Sequence, residues 1–117
     1  MGIFLPTRLS AGDTAAIVAR KLQWILAGCD PLEVWLFGSA ATDEMTEASD
    51  VDLILLFHDA AAIRVAQRAL ARTPRPDDWP QDILWYRRSD FYQQSTLGGV
   101  PMIAVEDGRR IYLRENS

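Results

Sequence analysis

The chain has 117 residues, 49% apolar and 24% charged, enough for one compact core and too few for a second. A formal net charge of -4, with eleven arginines and a single lysine, argues against general attraction to nucleic acid or anionic lipid. Cys29 stands alone, so no internal disulfide forms, and no apolar run reaches the roughly 18 residues of a membrane span. The N-terminal stretch also lacks the pattern of a secretory signal, so a single cytoplasmic domain, residues 1–117, is expected.

Residues 1–12 read as a loosely ordered start, after which Asp13 is placed to cap a helix reaching Gly28. Ile17, Val18, Leu22, Ile25 and Leu26 recur there at helical spacing and predict one buried face. Asp30-Pro31 ends the helix, and Val34–Phe37 is apolar on both alternating faces, the pattern of a strand covered on both sides. Gly38-Ser39 turns the chain into a short helical segment. Asp50–Phe57 is the second strand, apolar on both faces once its two acids are past. Asp59 caps a helix to Arg72, with Ala62, Ile63, Ala66, Ala69 and Leu70 inward, and the TPRPDDWP stretch stops it. Gln81–Tyr86 is a third strand and Ser89–Leu97 a helix. Gly98-Gly99 interrupts, and a short helix or turn leads to a last strand at Arg110–Leu113. The order predicts an α/β fold of the α+β type, a small mixed sheet with helices packed on it.

Connection lengths bring distant residues together. Only eleven residues, Ser39–Ser49, separate the first two strands, too tight for a comfortable crossover, so an antiparallel pair is expected. His58 to Pro80 holds a full helix plus loops, which suits a parallel crossover to the third strand. The Gly38-Ser39 turn and the acids Asp50, Asp52 and Asp82 would then meet at one rim of the sheet.

Asp50 and Asp52 would share a face about 6.6 Å apart, at about 3.3 Å per residue. Three carboxylates in a partly desolvated pocket repel one another, which raises their pKa values unless a cation compensates. Hard oxygen donors suit magnesium, with manganese as substitute, and magnesium completes its shell with waters and substrate phosphates. Gly38 lets backbone approach those phosphates, and Ser39 offers a hydroxyl and an N–H at a helix start.

Gly-Ser, ten intervening residues and Asp-x-Asp in an apolar strand, with a later acid opening another strand, resemble the DNA polymerase β-like nucleotidyltransferases. The likeness is strongest to the minimal nucleotidyltransferase (MNT) group. It runs from Val34 to Phe91 and rests on FGSA, SDVDLILL and DILWYRRSDF, with EDGRRIYL also similar. The resemblance implies a nucleotidyltransferase fold. It implies that Gly38 and Ser39 hold the phosphates of an NTP and that Asp50 and Asp52 bind one or two magnesium ions. Asp82 would complete the metal site and help deprotonate an acceptor hydroxyl. It further implies transfer of AMP from ATP to a small helical HEPN-type partner protein, as the antitoxin of a toxin–antitoxin pair. A homo-oligomer is left open.

One departure stands out. Many relatives carry Arg after Gly-Ser, a second basic residue two positions on, then Gly; here the residues are Ala40, Thr42 and Asp43. Arg87, Arg88 and Lys21 are the remaining candidates for that charge, and an antitoxin that neutralises its partner by binding alone is the alternative. An aminoglycoside-type small-molecule transferase is a third reading. The plainer roles are local: Asp78 as a loop acid, Asp90 as a helix-start acid, Arg64, Arg68 and Arg72 as a solvated stripe, and His58 as structural. Trp35, Trp85, Trp79 and Cys29 serve packing.

Overall fold

A computed structural model describes residues 5–115. Its elements are α1 (Ala11–Gly28), β1 (Glu33–Phe37), β2 (Val51–Phe57), α2 (Ala60–Ala71), β3 (Gln81–Arg87), α3 (Arg88–Ser95), α4 (Gly99–Asp107) and β4 (Arg109–Leu113). A single 3-10 turn, Gly38–Ala40, follows β1. The strands form one mixed sheet in the order β3-β2-β1-β4. β1 runs antiparallel to both β2 and β4, and β2 runs parallel to β3. The short connection and the long one act as their lengths predict: the first reverses the chain, and the second carries α2 across the sheet.

Helix α1 begins two residues before the expected cap. Ser10, in extended backbone, accepts a hydrogen bond on Oγ from the Asp13 N–H at 3.0 Å, so Asp13 lies in the first turn, where its charge suits the helix dipole. The segment ahead of it is tied down as well. Arg8 bridges Thr46, and the Leu9 N–H donates to Met45 O at 2.9 Å. These bonds hold residues 7–9 against the segment before β2, and residues 1–4 of the expected loose start lie outside the described residues. Asp59 caps α2 as expected, accepting from the Ala62 N–H at 2.8 Å.

Side chains alternate along each strand and divide the core in two. Val34, Leu36, Leu53, Leu55 and Phe57 pack under α1 and α2 with Ile17, Trp24, Ile25 and Leu70. Trp35, Ile54 and Leu56 pack under α3 and α4 with Phe91 and Ala104. Each face thus has its own pair of helices, which explains why β1 and β2 are apolar on both faces apart from Glu33 and Asp52. The buried stripe of α1 runs Thr14, Ile17, Lys21, Trp24, Ile25. It is rotated from the apolar reading, and Leu26 is left exposed. The segment after Gly98 is a true helix, α4, with Pro101 in its first turn, where a missing N–H costs little. At its end Gly108 passes so close to Ala104 O and Leu36 O that any Cβ would collide with both.

Among the described residues no helix is long and apolar enough to cross a membrane.

Candidate active site

Gly38, Asp52 and Asp82 meet where β1 ends and β2 and β3 begin. Phe37 pairs with Asp52 across the antiparallel ladder, and Asp52 pairs with Asp82 across the parallel one. Partners in register share a face, so Asp52 and Asp82 both point to the α3/α4 side. Asp50, two residues before Asp52, has the same parity. Asp52 is the one residue of β2 that is not fully buried. Asp50 and Asp82 are exposed.

The turn and the acid touch. Gly38 has φ +70°, and a Cβ on it would collide with Oδ2 of Asp52. Only glycine satisfies both the backbone and the contact. The Asp52 carboxyl is pushed above its ordinary range by burial, then by the charges of Asp82 and Asp50. Burial is the larger cause, and repulsion from the two neighbouring acids adds to it. Among the described residues no three Asp, Glu, His or Cys side chains form a ready-made metal cluster. The donor set still fits magnesium, which uses one or two carboxylates and takes the rest of its shell from water and phosphate.

A buried lysine holds the rim in place. Lys21 is fully buried, and its Nζ donates to Asp77 Oδ1 (2.8 Å), Trp79 O (2.5 Å) and Gln81 Oε1 (2.9 Å). Burial pushes the Asp77 carboxyl up, but hydrogen bonds from Lys21 and the Trp79 N–H, the Lys21 charge and Arg20 outweigh it and leave the group below its ordinary value. Trp79 in turn donates from Nε1 to Ser49 O at 2.9 Å, and the Val51 N–H donates to Pro80 O at 3.0 Å. The entries of β2 and β3, which carry Asp50, Asp52 and Asp82, are thereby fastened to each other and to α1. Lys21 is a positioning residue, not a phosphate ligand.

The other proposed cations are engaged elsewhere too. Arg87 pairs with Asp90 at 2.8 Å, and Arg88 pairs with buried Glu33 at 2.7 Å. Glu33 also accepts from Tyr92 Oη at 2.6 Å, from Trp35 Nε1 at 3.2 Å and from Arg110 at 3.4 Å. This network lies at the far end of β1 from Gly38. Two arginines not singled out from the sequence frame the turn instead: Arg109 Nη2 donates to Ala40 O (3.2 Å), and Arg8 donates to Asp43 O through Nε (2.9 Å) and Nη2 (2.6 Å). Asp43 holds φ +59°. Aspartate is one of the few residues besides glycine that tolerate this left-handed backbone. On its other side the turn opens to a cleft of about 310 Å³ lined by Gly38, Ser39, Thr42, Glu44, Ile103 and Asp107.

The signal for Lys21 was present in the sequence: the chain's one lysine falls four residues after Ile17 and four before Ile25, inside the apolar stripe. Glu33, Arg8 and Arg109 carry no comparable local signal.

A mixed sheet of this order with carboxylates gathered at one rim is a nucleotidyltransferase fold, and a solved structure has the same architecture. A Sulfolobus solfataricus protein described as a candidate nucleotidyltransferase superposes with a TM-score of 0.57 over 97% of this chain and 96% of its own, at 17% identity. The nucleotidyltransferase domain family matches residues 17–107, and the chain belongs to that family. Among curated proteins no sequence matches.

Proposed function

We propose that the protein is a magnesium-dependent nucleotidyltransferase that moves AMP from ATP to a hydroxyl of a partner protein. The observation that carries this reading is the in-register pair Asp52 and Asp82 against the Gly38 turn, with the ionised Asp52 carboxyl disfavoured by burial and then by its acidic neighbours. Asp50, Asp52 and Asp82 would hold the metal, which when bound offsets the charge of the triphosphate and of the departing pyrophosphate. Gly38 and Ser39 present backbone and hydroxyl to the phosphates. Asp82, exposed at the rim, accepts the proton of the acceptor hydroxyl. The freed oxygen bonds to the α-phosphorus as the bond to the bridging α–β oxygen breaks, and pyrophosphate leaves. Positioning and electrostatics supply the rate.

A small helical HEPN-type protein, with this chain as its MNT antitoxin, is the partner the family resemblance suggests. The test is incubation of the protein with labelled ATP, magnesium and the product of the neighbouring gene. The wild type should transfer label, and Asp52→Ala should lose it by about a hundredfold or more, the scale at which general-base and charge-stabilising groups act. No transfer, or equal transfer by the variant, overturns the reading.

A second reading is favoured by one observation. Lys21, Arg87 and Arg88 are all committed to carboxylates elsewhere, while Glu44 and Asp107 line the cleft beside Gly38 and Ser39. A binding module with a remnant site fits that charge balance. It requires folded Asp50→Ala and Asp52→Ala proteins to bind and neutralise the partner as the wild type does, and loss of complex formation in them would exclude it.

A further inference from the structure

The two open edges of the sheet, β3 and β4, are unlike. β4 begins with Arg109 and Arg110 and pairs with β1 through a register shift at Val34/Trp35; charges and bulges blunt an edge against added strands. β3 stays in unbroken register with β2, and its middle, Ile83-Leu84-Trp85-Tyr86, carries no charge. None of its residues is fully buried, although β2 beside it is buried almost throughout.

Its free backbone groups can be named. The Val51 N–H donates to Pro80 O. In a parallel ladder that bond turns the N–H and C=O of Asp82, Leu84 and Tyr86 towards β2, and those of Gln81, Ile83, Trp85 and Arg87 outward. Among the described residues no hydrogen bond reaches the backbone of Ile83 or Trp85 from outside the sheet. Alongside them lies an apolar groove of about 260 Å³ between β3 and α2, lined mainly by Trp24, Leu70, Ala71, Ile83 and Trp85. The two ends of the edge differ in charge. Asp78 and Asp82 are exposed and make no ion pair among the described residues, whereas Arg87 at the other end is neutralised by Asp90.

We propose that the β3 edge is the docking surface for the acceptor: an extended partner segment, basic at the end that passes Asp78, adds to β3 as a further strand and presents its hydroxyl beside Asp82. This rests on the transferase reading above and specifies its acceptor. Alternation sets the sequence of such a segment. The residue opposite Asp82 lies on the face of Asp52 and Asp82, where the hydroxyl is needed. Residues opposite Ile83 and Trp85 fall on the other face, over the apolar groove. In antiparallel pairing, the more stable of the two, the segment reads apolar, any, apolar, hydroxyl, basic when the residue opposite Trp85 is taken first and the one between the second apolar residue and the basic one faces Asp82.

The probe is the peptide acetyl-Thr-Ile-Thr-Val-Tyr-Lys-Arg-amide, in which Tyr stands opposite Asp82, Val opposite Ile83 and Ile opposite Trp85. Amide hydrogen exchange of the full chain, without ATP, should slow at Ile83 and Trp85 by tenfold or more at saturating peptide, with β4 unchanged. The same peptide N-methylated at Val and Ile should give no protection. With labelled ATP and magnesium, the unmodified peptide should be labelled on Tyr and its Tyr→Phe analogue should not. Protection at β4 or α3 instead of β3, or equal binding of the N-methylated peptide, overturns the docking surface. Labelling of Tyr without protection of β3 overturns it too while leaving the transferase intact. Protection of β3 without labelling supports the surface and refutes the transferase.

Discussion

Replacing Gly38 by alanine tests whether the turn and the acid are built as one unit. An L-residue in left-handed backbone costs about 1–2 kcal/mol, and the new Cβ would meet Asp52 Oδ2 head-on. Clearing that contact forces the Asp52 side chain off its rotamer at a further cost of about 1 kcal/mol, so Gly38→Ala should lose about 2–3 kcal/mol. For a domain of this size that is a fall in Tm of about 10 °C, read by thermal melting and urea titration. The decisive comparison is the double variant. In an Asp52→Ala background the collision is gone and only backbone strain remains, so the Gly38→Ala cost should drop by about 1 kcal/mol. An unchanged Tm for the single variant, or an identical cost in both backgrounds, would refute the reasoning.

Three further outcomes are expected. Because the Asp52 carboxyl is raised above its ordinary value of 3.8, its ionisation opposes folding in chelator: the folded state is favoured below that value and loses the advantage as pH rises through the raised one. Asp52→Asn should therefore melt with the wild type near pH 4 and above it at pH 7, and a gap that closes as pH rises would contradict this. Lys21→Ala leaves Gln81 Oε1 without its donor, while Arg20 and the Trp79 N–H still reach Asp77 and Arg75 still reaches Trp79 O; it should cost about 2–3 kcal/mol in urea titration, the scale of lost hydrogen bonds to a charged group, with hydrogen exchange speeding up first at the entry of β3. Cys29, half-buried and with its thiol pushed up to about 11 by burial and then by Asp30, should alkylate at pH 8 about a hundredfold more slowly than free cysteine, which an iodoacetamide time course measures.

Short-range features were the legible ones. The alternation of β1 and β2, the Asp59 cap, the reversal between the first two strands and the crossover through α2 all follow from spacing within some twenty residues. The convergence of Asp52 with Asp82 follows from those connections together. What escaped depends on partners far along the chain. Glu33 opens a strand like any surface acid, yet it is buried because Arg88, Tyr92 and Arg110 reach it from 55 to 77 residues away. Counting apolar residues alone places Leu26 inward, whereas the buried stripe passes through Lys21 and Trp24 and leaves Leu26 outside it. The α1 start was missed because Ser10 and Asp13 are equally good caps in isolation, and the choice between them follows the pairing of Arg8 and Leu9 with Thr46 and Met45.

Lys21 also decides what the surface lacks. It is the chain's one lysine, and none of it is exposed. No side-chain amine is therefore presented to solvent: acylating reagents, amine crosslinkers and enzymes that tag lysines meet none on the folded protein, so acylation of Lys21 would report unfolding.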